Sequence, residues 1–325
     1  MKETVLAVLK DNLFSYVSGE ELSSRLNVSR TAIWKHIGAL REDGYEIESA
    51  PRLGYRLLAV PDLLLPSEIH AGLETNILGK KVIHQHEVES TNRVLRELAD
   101  KGEPEGTVVL AEQQTAGRGR LGRSWSSPQG GVWLSVLLRP SLPPFKVQLV
   151  TLLAAVAAVE ATETVVGITP GIKWPNDLLV DGKKLAGILT EVSAEMERVN
   201  YLILGIGINV NIPAGNFTGE LTETATSLQA ATGSSTDRVA WVKTFLTKLE
   251  REYIRAQKQG FSDVLERWRR YSVTIGYAVD VNLGNHTVSG TAVDIDEQGA
   301  LLVKTDTAVE TFLAGDVSLK PDKDQ

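Results

Sequence analysis

The chain has 325 residues, no cysteine and a formal net charge of −7. At roughly 150 residues per domain, this length predicts two or three domains. The missing thiol excludes disulfides, thiolate zinc sites, iron–sulfur clusters and a cysteine nucleophile, and the acidic balance argues against a protein that coats nucleic acid along its whole length.

Glu3, Lys10 and Asp11 interrupt the start of the chain, where a signal peptide needs an apolar core. The longest apolar run, Leu152 to Val159, is short against the roughly 20 residues of a membrane helix. A cytoplasmic protein without a membrane segment is therefore predicted. His84 and His86 are close in sequence, but an i, i+2 pair is read as one face of a strand rather than a metal site.

Residues 1 to about 60 are helix-rich. Thr4 to Leu9 begins an amphipathic helix. Ser18-Gly19-Glu20-Glu21 is a capped start for a second, and Ser29 caps a third over Arg30 to Leu40, with Ile33, Ile37 and Leu40 on one face. Tyr45–Glu48 and Tyr55–Leu58 read as two strands. This pattern resembles a winged helix-turn-helix over residues 1–62. Leu22 to Arg41 holds four cations and no acid, and Arg52 and Arg56 add a basic wing. Such cations suit phosphate, and Ser29, Arg30, Thr31, Trp34, Lys35 and His36 are the candidate DNA contacts. A winged helix that contacts protein is the competing reading.

Residues 61 to about 75 are a Pro-bounded connector. Beyond it, strand-like and helix-like segments alternate to about residue 270, which predicts a mixed sheet flanked by helices. Val82–His86, Thr107–Glu112, Val132–Leu138, Leu178–Val180, Leu185–Val192 and Tyr201–Val210 read as strands. Ser90-Thr91-Asn92 reads as a loop and cap before a helix from Arg93 to Lys101, and Leu149–Val165 as a buried helix.

Gly117-Arg118-Gly119-Arg120-Leu121-Gly122-Arg123-Ser124-Trp125 is neither a dinucleotide fingerprint nor a Walker loop, because no helix and no G-K-[ST] follows. A flexible backbone carrying Arg forks suits phosphate or carboxylate, and closing over a ligand it would shield a reactive intermediate. A basic surface loop is the alternative. Lys173-Trp174-Pro175-Asn176-Asp177 precedes an Asp181-Gly182 hairpin, which places Asp177 and Lys184 on neighbouring strands. An acid for Mg²⁺ and a cation for phosphate fit nucleotidyl transfer; solvated charges on a hairpin would give the same pattern. In Gly205-Ile206-Gly207-Ile208-Asn209, alternating glycines admit either a ligand or a closely packed helix.

The sequences G-R-G-R-x-G-R-x-W, K-W-P-N-D, K-L-A-G-I-L-x-E and G-I-G-I-N, in this order, resemble the biotin protein ligase family. With the N-terminal winged helix, the resemblance covers essentially the whole chain and is to the bifunctional biotin ligase and biotin operon repressor type. It implies an α+β multidomain fold: a winged helix-turn-helix at 1–62, a central mixed α/β domain of the biotin/lipoate ligase, class II synthetase-like type at 63–270, and an SH3-like β-barrel at 271–325. The last agrees with the short alternating strands that begin after Tyr271, expected to number five or six.

The resemblance also implies roles. Ser90, Thr91, Asn92 and Gln114 would bind the biotin head. Arg118, Gly119 and Arg120 would lie over the biotin carboxylate and the phosphate, and Lys184 would bridge the carboxylate and the α-phosphate. Arg123, Trp125, Asn176 and Asn209 would join Arg118 and Arg120 at ATP. Asp177 would hold Mg²⁺, and it, Arg118, Arg120 and Lys184 would carry catalysis. Implied partners are the biotin carboxyl carrier protein of acetyl-CoA carboxylase, the operator DNA of biotin synthesis genes, and a second copy of the chain once ligand is bound. Two alternatives stand beside this reading: a non-catalytic ligand-sensing repressor and a lipoate ligase-like adenylating enzyme.

Overall fold

The computed structural model describes residues 1–195, 198–284 and 286–320, arranged in two compact units, 1–63 and 64–325. In the first, α1 (Lys2–Asp11), α2 (Gly19–Leu26) and α3 (Arg30–Glu42) precede a hairpin of β1 (Glu46–Ala50) and β2 (Gly54–Ala59). The local signals are used as expected. Ser18 Oγ accepts the Glu21 amide at 3.0 Å, and Ser29 Oγ accepts the Ala32 amide at 3.2 Å. Between them Asn27 takes the left-handed conformation that ends α2 (φ 52°). Val5, Leu9, Leu22, Ile33, Ile37, Leu40 and Leu57 form the buried interior.

The second unit is built on a seven-stranded sheet. Its strands are β3 (Val82–Val88), β4 (Val108–Gln114), β5 (Val132–Leu138), β6 (Gly171–Lys173), β7 (Asp177–Val180), β8 (Lys183–Glu195) and β9 (Arg198–Ile208). Their order is β3-β4-β5-β9-β8-β7-β6, with only β3 and β4 parallel. The expected mixed sheet is present. One face carries α5 (Thr91–Asp100), whose Leu95 and Ala99 meet Val109, Leu137, Tyr201 and Ile203. The other face packs against α6 (Val147–Val166), α9 (Arg238–Gln259) and α10 (Ser262–Tyr271). Short helices α4 (Pro66–His70), α7 (Leu221–Thr224) and α8 (Leu228–Thr232) complete the connections.

α6 is longer than its eight-residue apolar run suggests, and by length and composition it could cross a membrane. It is a core helix here: every residue from Leu149 to Val159 is buried. α9 is a helix beyond those expected from the sequence. Its signals are an Asp237 cap, which accepts the Ala240 amide at 2.9 Å, and buried Trp241, Phe245, Leu249 and Tyr253 at i, i+4 spacing.

After α10 come β10 (Ala278–Asn282), β11 (Thr287–Ile295), β12 (Leu301–Lys304), β13 (Val309–Phe312) and β14 (Asp316–Leu319). They make one antiparallel sheet in the order β13-β12-β11-β10-β14. Asn285 of the expected Gly-Asn turn and residues 321–325 of the expected third domain lie outside the described residues. Val279, Val281, Ile295, Leu301 and Val303 share one apolar core with α6 and the larger sheet. Trp174 is buried at that junction, its Nε1 donating to Gly299 O at 3.0 Å.

Candidate active site

α5 covers only part of its face of the sheet. Beyond its N-terminus lies a cavity floored by β8 and β9 and roofed by the loop from Gly117 to Trp125. Of the predicted biotin, ATP and metal residues, Ser90, Thr91, Asn92, Gln114, Arg118, Gly119, Arg120, Arg123, Trp125, Asn176, Asp177 and Lys184 all line it. Asn209 does not. It faces a neighbouring cavity with Ile212, Phe217 and Leu221, and Trp125 and Lys184 wall both. The Asn209 Nδ2 donates to Thr226 O at 2.9 Å, so part of this amide serves the fold.

The floor is made by missing side chains. Gly187 and Gly207 are cross-strand partners. A Cβ on Gly207 would stand 2.5 Å from Trp125 Nε1, and one on Gly187 would stand 3.2 Å from its ring. The two glycines are thus a bed for the indole. Gly205, two residues along β9, clears Asn92 at the start of α5, where a Cβ would lie 2.2 Å from Oδ1. Of the sequence readings of G-I-G-I-N, close helix packing holds at Gly205, while Gly207 makes room for the protein's own Trp125 ring.

The Asp181-Gly182 hairpin does what its sequence predicts. Both residues have positive φ (49° and 76°), and Val180 pairs with Lys183. This brings Lys184 Nζ to 2.7 Å from Asp177 Oδ2, and to 5.2 Å from the Trp125 ring centre. Asp177 Oδ1 is buried with no hydrogen-bond partner. Among the described residues no group of three or more carboxylate or imidazole side chains gathers as a metal cage. Asp177 alone, with one oxygen unspent, fits Mg²⁺ held chiefly by substrate phosphates and water.

The roof differs from a loose loop. Gly119 N donates to Arg123 O at 2.8 Å, Arg123 N to Arg120 O at 3.2 Å, and Trp125 N to Gly117 O at 2.9 Å. Those three amides are spent inside the loop, and its guanidiniums are groups suited to an anion. Arg120 donates to Asn176 Oδ1 at 3.2 Å. Burial pushes its guanidinium below the ordinary value, opposed by Asp177 and Asp316. Arg123 pairs, within the cavity wall, with the Asp316 carboxylate on β14, a partner that sequence reasoning missed. Four cations (Arg118, Arg120, Arg123, Lys184) meet two acids (Asp177, Asp316) in the cavity wall, which leaves it positive.

Ser90 does not cap α5 through its side chain, contrary to the sequence reading. The turn is held instead by Gln114, whose Oε1 accepts the Thr91 amide at 2.9 Å while its Nε2 donates to Ser127 Oγ at 2.9 Å.

In the first unit, Ser29, Arg30, Thr31, Trp34 and Lys35 are exposed on α3 and His36 is half-buried. Two cations of the expected basic face are diverted. Arg41 donates to Ile47 O and Ser49 Oγ at 2.7 and 2.6 Å, tying α3 to the hairpin. Arg56 pairs with Glu48 and stacks 4.6 Å over Tyr16, so of the two wing arginines it is Arg52 that stays exposed. Arg30 is itself 2.7 Å from Glu20.

Residues 85–209 match the Biotin/lipoate A/B protein ligase family, residues 2–56 an HTH domain, and residues 274–320 the Biotin protein ligase C terminal domain. A curated relative, the "Bifunctional ligase/repressor BirA" of Bacillus subtilis (strain 168), is 44% identical over 94% of this chain and 94% of its own. The chain belongs to the biotin protein ligase family. The protein of the same name from Escherichia coli (strain K12) is 31% identical over 97% of this chain and 96% of its own. Among solved structures, "Biotin protein ligase from Aquifex aeolicus in complex with biotin and ATP" superposes with a TM-score of 0.65 at 32% identity, covering 74% of this chain and 99% of that one.

Proposed function

We propose that this ligase joins biotin to ATP, giving biotinyl-5′-AMP and pyrophosphate, and then transfers biotin to a lysine of the biotin carboxyl carrier protein of acetyl-CoA carboxylase. The same chain represses biotin synthesis genes as a homodimer, with the adenylate as corepressor. The observation that carries the reading is the one cavity whose lining joins the cations Arg118, Arg120 and Lys184 to the neutral polar groups of Ser90, Thr91 and Gln114. A molecule with a hydrogen-bonding neutral head and a carboxylate tail fits that polarity. A cytoplasmic location agrees with this chemistry.

In the first step a biotin carboxylate oxygen attacks the α-phosphorus of ATP and pyrophosphate leaves. Both reactants are anions. Arg118, Arg120 and Lys184 offset their repulsion and stabilise the charge that builds on the phosphorus oxygens. Asp177 keeps Lys184 pointed at the reacting centre through their 2.7 Å pair. Asp177 Oδ1 would hold Mg²⁺, which supplies further charge neutralisation on the phosphates. The apolar cavity on the far side of Trp125, with Phe217 and Leu221, suits the adenine ring, and Asn209 lies there. In the second step the carrier lysine, having lost a proton, attacks the acyl carbon and AMP leaves. The nucleophiles come from biotin and the carrier, so the enzyme needs no Cys, Ser or His of its own.

The three-helix-and-hairpin unit is read as a winged helix over 1–62, with Trp34, Lys35 and Arg52 toward DNA. The segment 271–325 is read as an SH3-like barrel attached to the catalytic part at 63–270. A lipoate ligase or a non-catalytic repressor has less support, since the relatives cited are named as bifunctional ligase/repressors. Incubation with biotin, ATP and a carrier fragment should add one biotin mass to the carrier, and operator mobility shift should require both ligands. No mass increment would overturn the ligase reading; tight operator binding that ignores both ligands would overturn the corepressor role.

A further inference from the structure

Asn92 reads from sequence as a biotin contact, yet both ends of its amide are occupied by protein. Its Oδ1 accepts from Ser135 Oγ at 2.6 Å, and its Nδ2 donates to Glu191 Oε2 at 2.9 Å. The amide sits in a notch of the sheet. Ser135 on β5 and Leu189 on β8 are the cross-strand partners of Gly205 on either side. One strand thus supplies a hydroxyl, the next a missing Cβ, and the third a carbonyl, Leu189 O, 3.4 Å from Nδ2. Glu191, on the same face of β8 as Leu189, closes the notch.

Glu191 holds α5 twice. Its other oxygen pairs with Arg96, four residues after Asn92 and on the same face of the helix. A carboxylate only accepts hydrogen bonds, so it dictates which way the Asn92 amide points: nitrogen toward Glu191, oxygen toward Ser135. Ser135 is fully buried and also lies 2.8 Å from Thr91 Oγ1.

We propose that Glu191 is a positioning residue for the biotin pocket, acting through Asn92. It fixes the first turn of α5, where Ser90 and Thr91 line the cavity and the Thr91 hydroxyl is held between Ser135 Oγ at 2.8 Å and Gln114 Oε1 at 3.2 Å. Asn92 is part of this frame, lining the cavity while both ends of its amide bond to protein. The inference rests on reading the cavity as the biotin site. Glu191 keeps 29% of its side-chain exposure, so replacing it leaves no unpaired charge in the core.

The test is calorimetric titration of biotin into the full chain and into Asn92→Asp, Glu191→Gln and the double variant, with thermal unfolding and ATP titration in parallel. Asn92→Asp sets two carboxylates face to face and should weaken biotin binding about 30-fold, the scale of a lost charged hydrogen bond. Glu191→Gln lets the amide turn over and should weaken it severalfold. In the double variant the carboxylate and the amide change places, which restores one carboxylate–amide bond, and biotin affinity should return to within about threefold of the parent. ATP affinity and melting temperature should stay put throughout. A double variant as weak as Asn92→Asp overturns the proposal, as do four proteins of equal biotin affinity. A parallel fall in melting temperature and in both ligands assigns Glu191 to the fold alone and overturns it too. If the unaltered protein takes up no biotin, the reading of the cavity itself fails.

Discussion

The two faces of the seven-stranded sheet are built on opposite plans. Toward α6 and α9 it presents Val136, Leu204 and Ile208, fully buried in the same apolar core as the helices. Toward α5 it gives up side chains at Gly187, Gly205 and Gly207 and places Ser135, Lys184 and Glu191 beside them. β8 carries both plans at once: Ile188 and Thr190 face α6, whereas Gly187, Leu189 and Glu191 face the cavity and α5. The site is made by subtraction from a surface that the opposite face keeps rigid. Stability and catalysis should therefore be separable by face.

The sharpest break between the faces is Lys184→Ala. Biotin-dependent exchange of pyrophosphate into ATP should fall at least about 1,000-fold, in the range of lost transition-state electrostatics, with little change in melting temperature. Near-normal exchange would remove Lys184 from the chemistry. A matched pair comes next. Leu204→Ala, on the filled face, should cost about 2–5 kcal/mol of stability in urea unfolding while the folded fraction keeps its activity. Gly207→Val, on the open face, drives a side chain into Trp125 and should cost about 10- to 100-fold in kcat/KM for ATP with a smaller loss of stability. If the two variants lose stability and activity in the same proportion, the division of labour is wrong.

Arg120→Gly removes a roof cation and its bond to Asn176, and should speed loss of the adenylate about tenfold, read as biotin on bystander lysines. An adenylate retained in full would show that the roof does not seal. The smallest effect concerns acid stability. Glu112 is buried, which by itself raises its pKa, but His84 at 2.8 Å and Arg238 at 2.9 Å, with the Leu64 amide, hold the carboxyl below the usual value. A depressed folded pKa contributes stability above the unfolded value, near 4.5, that is lost as pH falls through the folded one. Between about pH 5 and pH 3, Glu112→Gln should thus lose less stability than the parent, starting from a lower value at pH 7. Identical slopes would mean that this buried cluster does not titrate with folding.

Much of the local architecture was legible. Ser18 and Ser29 cap helices as their sequence context required, and Asp181-Gly182 could only turn a hairpin that sets Lys184 beside Asp177. The arginine loop was legible as an anion clamp but not as a self-bonded arch, because a glycine-rich stretch does not declare which of its amides bond to one another. The diversion of Arg41, Arg56 and Arg123 to Ile47, Glu48 and Asp316 was hidden for a related reason. Counting charges along the chain treats every guanidinium as available, whereas folding commits these three to partners on other elements, 6, 8 and 193 residues away.

From its sequence alone, this protein is a cysteine-free chain with an anion-handling arginine loop and a helix-turn-helix whose third helix starts in an acid-free stretch, since residue types, caps and turns act over a few neighbours; its motifs resemble those of the biotin protein ligases. The tertiary structure alone decided that both ends of the Asn92 amide bond to protein and that Asn209 lies across Trp125 in a second cavity. It also decided that Glu191, 99 residues beyond Asn92, meets the start of α5. Those contacts depend on the register of β5, β9 and β8, in which one absent Cβ at Gly205 opens the notch that a side chain from another element then fills.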